Sequence, residues 1–259
     1  MEAKERPDRN VYKQIFDDHW DNFKEENPRF NKGYYDNLVG KMLACGDPEQ
    51  MGYIEYRCMS CGQDKRLVSM SCKSFLCLRC GNVYVDDWVS QVSKMLHNGV
   101  IYRHIVLTVV DKLRPIFYNH PKLLGVLFRV GVECLDDFFS CVSRKKLKGG
   151  YIVVLQTHGR NGQYNVHLHI IATSGGYDEK EKKWVHLNYL PYPVLHKKWQ
   201  WYLLEMLRTE LDNDKIEGLI DYCYKKYPNG FVANVQKGDI PNRYKSLSKY
   251  LAKYVVSPP

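Results

Sequence analysis

A short block rich in cysteine places the strongest constraint on the fold. Five cysteines lie between residues 58 and 80, and the stretch around them has too few large apolar side chains to fold on its own. The first ten residues are charged and resemble no secretory signal, so the chain is expected in a reducing compartment, where disulfides are rare. A metal ion is therefore the expected source of stability for this block.

The spacing of these cysteines suggests how the metal is bound. Cys58 and Cys61 form one Cys-x-x-Cys pair and Cys77 and Cys80 form a second, at a separation typical of a four-cysteine zinc ribbon. Four thiolates leave no open coordination position, so the zinc would be structural. Cys72 is a fifth cysteine that either replaces one of the four ligands or remains a buried thiol.

The charge of the chain favours a polyanionic partner. Lysine and arginine number 38 against 29 acidic residues, which gives a formal net charge of +9 and a pI near 9.0. Nucleic acid is the default partner, although an unpartnered basic surface has the same composition. Lys65, Arg66 and Arg79 lie beside the cysteines and are candidate phosphate contacts. No apolar run is long enough to cross a membrane, and we expect a cytoplasmic protein.

The periodicity of apolar residues predicts an α+β fold with a mainly antiparallel sheet. The domain boundary is expected near residue 95, where a helix leads into a β-branched strand, so that the two domains are 1–95 and 96–259. The predicted helices are 9–26, a short piece near 34–46, one from about 86, 121–144, 193–211, 214–227 and about 243–256. The predicted strands are 102–110, 151–157, 165–173 and 230–236, with a charged loop at 175–184.

Two histidines stand out in the strand "YNVHLHII" at 164–171. Alternate side chains of a strand point to opposite faces, so the apolar residues share one face and His167 and His169 share the other. Two imidazoles at this spacing can bind one metal ion, although an arbitrary His-x-His more often lies on a solvated sheet face. The rest of the chain decides between these interpretations.

A pair of tyrosines lies near the C-terminus. Tyr250 and Tyr254 are four residues apart and share one helix face, with Lys249 and Lys253 repeated beside them. Tyrosines at helical spacing usually belong to a core. Together with a histidine pair and a cysteine block in a basic protein, they instead indicate successive attacks on phosphodiesters.

These motifs resemble a known family. The sequence "HLH" between apolar residues is similar to the His-hydrophobe-His motif of HUH endonucleases, and "YLAKYVVSPP" resembles the two-tyrosine motif of rolling-circle transposases of the insertion sequence 91 family. The cysteine block resembles the zinc-binding domain of that family, and "CKSFLC" and the "GG" after the histidine strand also fit. The resemblance covers nearly the whole chain. Family members usually continue well past the proline pair, whereas this chain stops at Pro259.

The resemblance implies a fold and a mechanism. The fold would be an HUH-type catalytic domain with flanking helices, preceded by a small helical and zinc-ribbon domain. His167 and His169 would hold Mg2+ or Mn2+, with Gln156 on the paired strand as the preferred third ligand and His158 as the alternative. One tyrosine would attack single-stranded DNA at the element end or target to give a 5′-phosphotyrosine and a free 3′-OH, and the other would cut a second strand.

Two other functions remain open from the sequence. A rolling-circle replication initiator or a conjugative relaxase would use the same chemistry, but the cysteine block and the paired tyrosines favour a transposase. A DNA-binding module that keeps the fold but does not cut would have the same charge and the same zinc site.

Overall fold

The computed structural model describes residues 10–97, 99–159, 161–211, 214–235 and 250. The chain divides into two compact units, Met1–Trp88 and Val89–Pro259. The division falls inside the helix Leu78–Met95, whereas the sequence predicts a domain boundary near residue 95. In the part of the chain that the structure describes, no helix is long and apolar enough to cross a membrane.

The N-terminal unit is mostly helical, with one small hairpin. Asn10 caps the first helix by accepting a hydrogen bond from the backbone N–H of Lys13 at 3.2 Å. Its small core contains Val39 and Met42 beside Cys45 and Cys77. The elements are α1 (Val11–Glu26), α2 (Gly33–Ala44), α3 (Pro48–Met51), β1 (Tyr53–Arg57), β2 (Lys65–Ser69) and α4 (Leu78–Met95), which continues into the second unit.

Among its described residues, the C-terminal unit combines antiparallel strands with the end of α4 and four further α-helices, which confirms the predicted α+β class. The strands are β3 (Tyr102–Thr108), β4 (Leu147–Lys148), β5 (Tyr151–His158), β6 (Tyr164–Thr173), β7 (Gly175–Asp178), β8 (Lys183–His186) and β9 (Ala233–Val235). The helices are α5 (Arg114–Asn119), α6 (Leu123–Ser143), α7 (Tyr192–Leu211) and α8 (Asp214–Lys226). Of the helix predicted over 243–256, only Tyr250 lies within the described residues.

The main sheet has four strands in the order β5-β6-β3-β9, and every neighbouring pair is antiparallel. Strands β3 and β6 are therefore central. One face of the sheet is apolar: Leu107, Leu168 and Ile170 are fully buried in the main core, which also contains buried side chains of α6 and α7. Since side chains alternate along a strand, the histidines of β3 and β6 point to the opposite face.

The segment predicted as a charged loop at 175–184 forms a hairpin instead. Strands β7 and β8 pair with each other, and β7 also pairs with β4, so a second sheet has the order β4-β7-β8. Gly175 has φ +118°, and a Cβ there would lie 1.9 Å from the backbone oxygen of Val185. Glycine at this position thus permits the two strands to approach closely. The many charged residues of the segment favoured a loop and gave no sign of this strand pairing.

Replacing this glycine tests its role. We expect Gly175→Ala to destabilise the protein by about 2–3 kcal/mol, because the new methyl group meets backbone and the φ angle is strained. Gly125→Ala in α6 is the matched control: Gly125 is exposed, a Cβ there meets nothing within 4 Å, and alanine favours a helix. Urea unfolding measures both, and equal stability of the two variants would contradict the expectation.

Candidate functional site

Three histidines lie on one face of the two central strands. In the antiparallel register of β3 and β6, His104 pairs with Ile171, Val106 with His169 and Thr108 with His167. Directly opposed residues share a face, so His104, His167 and His169 all project from the side away from the core. The ring centroids of His167 and His169 are 4.9 Å apart, and those of His104 and His169 are 5.0 Å apart.

His104 connects this histidine face to one of the predicted tyrosines. Its Nε2 lies 2.8 Å from Nδ1 of His169, and its Nδ1 lies 2.7 Å from the hydroxyl of Tyr250. The side chain of His104 is only 1% exposed. His104 was not predicted from the sequence, because one histidine in an apolar strand is typical of a core residue. Its only sequence signal is its alternation with Ile105 and Leu107, which face the core.

Both histidines of β6 are suited to bind a metal ion. Nδ1 of His167 is 2.6 Å from the backbone carbonyl oxygen of Asn165. A carbonyl oxygen only accepts hydrogen bonds, so Nδ1 carries the proton and Nε2 keeps its lone pair. Burial lowers the pKa of His167, and burial together with the neighbouring imidazoles His104 and His167 lowers the pKa of His169 to about 3. Both rings are therefore neutral near pH 7, as metal ligation requires.

The two candidates for a third ligand, Gln156 and His158, lie at different positions relative to this pair. Gln156 is directly opposite His167 in the register of β5 and β6, so the two side chains share a face. His158 lies beyond a register shift, with its Nδ1 at 2.9 Å from the hydroxyl of Thr157 and its ring edge-on to Tyr164. The structure therefore places Gln156, and not His158, opposite a histidine of the pair.

A buried oxygen without a partner supports a cation on this face. Asn165 precedes His167 by two residues on β6 and so projects from the same face. Its Oδ1 atom is buried and has no hydrogen-bond partner among the described residues. Two imidazole nitrogens with amide oxygens nearby form a donor set that fits Mg2+ or Mn2+.

Four cysteines of the N-terminal unit form a compact cluster. The sulfurs of Cys45, Cys72, Cys77 and Cys80 all lie within 4.8 Å of one another. Sγ of Cys80 is 3.6 Å from both Cys45 Sγ and Cys72 Sγ. A tetrahedral zinc with Zn–S bonds of about 2.3 Å separates its sulfurs by about 3.8 Å, so this cluster fits a structural zinc ion.

Acid–base properties explain why four thiolates at this cluster would need a cation. Although burial opposes ionisation, contacts with the other three sulfurs lower the pKa of Cys80 to about 7. Burial raises the pKa of Cys72 to about 12 and also raises the pKa of Cys77. Four adjacent sulfurs cannot all become thiolates without a neutralising cation, and zinc supplies that charge.

This cluster differs from the predicted ligand set. It contains the second Cys-x-x-Cys pair, Cys77 and Cys80, but the two further sulfurs come from Cys72 and Cys45. The first pair, Cys58 and Cys61, lies apart from it, in a group with Asp64. The Cys-x-x-Cys spacing is a local signal, and it could not show which sulfurs meet across the fold.

Cys45 was missed because its position depends on tertiary packing. It is the C-cap residue of α2, distant in sequence from both Cys-x-x-Cys pairs. The Lys13 ammonium of α1 donates hydrogen bonds to the carbonyls of Leu43 and Cys45, both at 2.7 Å, and so holds the end of α2 in place. A cysteine at the end of a predicted helix was the only available signal.

The predicted DNA contacts occupy exposed positions where the structure describes them. Lys65 and Arg66 are exposed on β2, and Arg79 is exposed in the first turn of α4. Three other predicted site residues lie outside the described part of the chain: Tyr254, Lys249 and Lys253.

Comparisons with known proteins match both units. Residues 15–109 match the family described as "Transposase zinc-binding domain", of the IS91 type, and residues 150–259 match a transposase family of the Y2 type. The transposase for insertion sequence element IS801 of Pseudomonas savastanoi pv. phaseolicola is 32% identical over 171 residues, which cover 65% of this chain and 40% of that protein. The chain thus aligns with less than half the length of this relative. No solved structure matches the chain.

The four-sulfur cluster can be tested through Cys45. We expect Cys45→Ser to weaken zinc binding at this cluster by more than about 100-fold and to lower the melting temperature, because metal binding here contributes directly to folding. Cys141→Ser, at an exposed cysteine outside both cysteine groups, is the control. Zinc content by mass spectrometry and thermal unfolding are the measurements. A Cys45→Ser protein with wild-type zinc content would mean that another residue is the fourth ligand.

Proposed function

Because the chain belongs to the IS91 family of transposases and carries the zinc-binding domain of that family, we propose that it nicks and transfers single-stranded DNA through 5′-phosphotyrosine intermediates. The observation that carries this proposal is the 2.7 Å contact between the Tyr250 hydroxyl and His104, next to the His167–His169 pair. In this proposal Tyr250 is the nucleophile, and its contact with His104 beside a candidate metal site supports that role, because a tyrosine-dependent nuclease needs both groups close together.

The proposed reaction exchanges one phosphodiester for another. The oxygen of Tyr250 forms a bond to phosphorus, and the bond from phosphorus to the 3′ oxygen breaks. The products are a 5′-phosphotyrosine and a free 3′-OH. Because the new ester keeps the energy of the broken one, a 3′-OH can later attack it and rejoin DNA without a further energy source.

A divalent ion at Nε2 of His167 and His169, with the amide oxygen of Gln156, would polarise the scissile phosphate and stabilise its developing negative charge. The tautomer of His167 supports this role, because its Nδ1 proton is directed at the carbonyl of Asn165 and its Nε2 keeps the lone pair. Mg2+ and Mn2+ both accept imidazole together with oxygen ligands.

The hydrogen-bonded chain also sets the role of His104. A neutral His169 that uses Nε2 as a ligand carries its proton on Nδ1 and donates it to Nε2 of His104. His104 must then carry its own proton on Nδ1, where it donates to the oxygen of Tyr250. This donor stabilises a phenolate at Tyr250, while the phenolic proton leaves to solvent. His104 is therefore a positioning residue that favours the attacking form of the tyrosine.

The opposite arrangement of protons does not allow metal ligation. If the Tyr250 hydroxyl donates to Nδ1 of His104, then Nε2 of His104 donates to Nδ1 of His169. A neutral His169 then holds its proton on Nε2, and that nitrogen has no lone pair for a metal ion. In this proposal, metal binding at His169 is therefore coupled to ionisation of Tyr250 through the proton positions on His104. The hydrogen bonds that connect the three rings are 2.7 and 2.8 Å long.

The remaining parts of the proposal concern DNA binding and the second cut. Lys65, Arg66 and Arg79 are exposed and would contact phosphates, in a chain with net charge +9. Tyr254, with Lys249 and Lys253, would serve a second strand, by resemblance to the two-tyrosine motif. In this proposal the DNA partner is the single-stranded end of a mobile element and its target, in the cytoplasm.

The nucleophile is tested by trapping the covalent adduct. With labelled single-stranded element ends and Mn2+, we expect an adduct with wild type and none with the double variant Tyr250→Phe/Tyr254→Phe. Tyr250→Phe alone should impair the first cut more than Tyr254→Phe. Tyr189→Phe, at a tyrosine that is 72% exposed, is the matched control and should behave as wild type.

Mass spectrometry of the DNA-linked peptide identifies the residue. A linked peptide that contains neither Tyr250 nor Tyr254 would overturn the assignment. His167→Ala should lose the adduct but keep most non-specific DNA binding, since phosphate contacts come from the basic surface. If wild type binds element ends and never forms an adduct, the chain is a DNA-binding module.

The positioning role of His104 makes a separate prediction. We expect His104→Ala to slow adduct formation by about 10²–10³-fold, because the tyrosine loses its hydrogen-bond donor. His104→Asn should recover part of this loss, since its amide N–H can replace the Nδ1–H donor. In His104→Ala, the rate of adduct formation should also reach its maximum at a higher pH than in wild type, because the phenolate is no longer stabilised.

Mn2+ binding, followed by electron paramagnetic resonance, provides the control for this experiment. Tyr250→Phe should leave Mn2+ affinity close to wild type, since the tyrosine is not a ligand in this proposal. An unchanged pH profile and equal rates in His104→Ala and His104→Asn would show that the histidine only fills space.

A further inference from the structure

The loop between β1 and β2 carries a second group of metal-binding side chains. Cys58, Cys61 and Asp64 each offer one ligand atom, and these three atoms lie within 4.8 Å of one another. Sγ of Cys61 is 3.9 Å from Oδ2 of Asp64. The group shares no residue with the four-sulfur cluster that we assign to the structural zinc ion.

The backbone of this loop is folded tightly around Cys58. The N–H of Gly62 donates to the carbonyl of Cys58 and the N–H of Cys58 donates to the carbonyl of Asp64, both at 2.9 Å. Gly62 has φ +66°, a left-handed conformation that closes the turn after Cys61. The two sulfurs are thus brought together by local hydrogen bonds.

The ligand types of this group suit zinc. Backbone N–H groups of Cys61 and Ser60 are directed at the sulfur of Cys58, and cysteine binds zinc through this atom. Asp64 adds a carboxylate, which is also an accepted zinc ligand.

The hairpin that carries this loop has almost no core of its own. Its strands β1 and β2 pair in full register from Tyr53↔Ser69 to Arg57↔Lys65, yet nearly all of their residues are exposed and none is buried. Ile54 is 48% exposed and Leu67 is 55% exposed. An isolated two-stranded hairpin is at best marginally stable in water. A cross-link at its loop would therefore supply stability that packing does not.

We propose that Cys58, Cys61 and Asp64 bind a second zinc ion that holds the β1–β2 hairpin together. Three protein ligands leave one coordination position for water or an incoming ligand, in contrast to the closed four-sulfur site. The ion fixes the loop next to Lys65 and Arg66, so it orders the part of the hairpin that bears these exposed cations. With fewer thiolates and an exposed position, this ion exchanges faster than the structural one.

Zinc stoichiometry of the full chain tests the proposal. We expect two zinc ions per chain in wild type and one in Cys61→Ser, with a cooperative fold retained, because the four-sulfur cluster is untouched. Asp64→Asn should weaken binding of the second ion without abolishing it, and the matched control Asp87→Asn, at an exposed carboxylate of α4, should bind two. One zinc ion in wild type, or two in Cys61→Ser, overturns the proposal.

Two further measurements distinguish a metal site from a redox-active cysteine pair. Hydrogen exchange should become faster over residues 53–69 in Cys61→Ser and remain unchanged over α6. Cobalt substitution should give a sulfur-to-cobalt charge-transfer band. In Cys61→Ser the intensity of this band should decrease by the contribution of two thiolates, and not of four. A Cys58–Cys61 disulfide in protein purified without oxidant would show a redox pair and exclude the metal. Neither measurement depends on DNA cleavage, so the result stands apart from the proposed nuclease function.

Discussion

The antiparallel pairing of β3 and β6 is the constraint on which the candidate active site depends. The register that sets Val106 opposite His169 places the histidines of both strands on one face. The same register sends Leu107, Leu168 and Ile170 into the core. A shift of one residue would turn every one of these side chains to the other face, so core packing and site geometry are fixed by the same hydrogen bonds.

This arrangement explains how ionisable rings are tolerated inside the fold. His104 is almost completely buried, but each of its nitrogens has a partner, His169 on one side and Tyr250 on the other. The low pKa of His169 shows that the site favours neutral rings, which are the forms that bind metals. Burial thus keeps these rings in the form that a metal ion would bind, because it opposes their protonation.

The N-terminal unit has a small core and is stabilised in a different way. Its core around Val39 and Met42 is small, and its hairpin is exposed, so side-chain packing contributes little. Sulfur ligands take the place of a larger core, and α1 holds one of them through Lys13 and the carbonyl of Cys45. Cysteine spacing predicted zinc, which agrees with the family match, but only the second Cys-x-x-Cys pair belongs to the four-sulfur cluster, where Cys45 and Cys72 complete the set.

Elements whose signal is local were predictable from the amino-acid sequence alone. Apolar periodicity located α1, α6, α7 and the strands β3, β5 and β6, and alternation placed His167 and His169 on one face, because each pattern is complete within a single element. Only the tertiary structure identified His104 and Cys45 as candidate site residues and showed the β7–β8 hairpin. Each depends on contacts between residues far apart in the chain: a neighbouring strand at His104, a helix end at Cys45, and a close backbone approach at Gly175. The spacing of residues along a sequence does not predict such contacts, because they are set by packing among several elements at once.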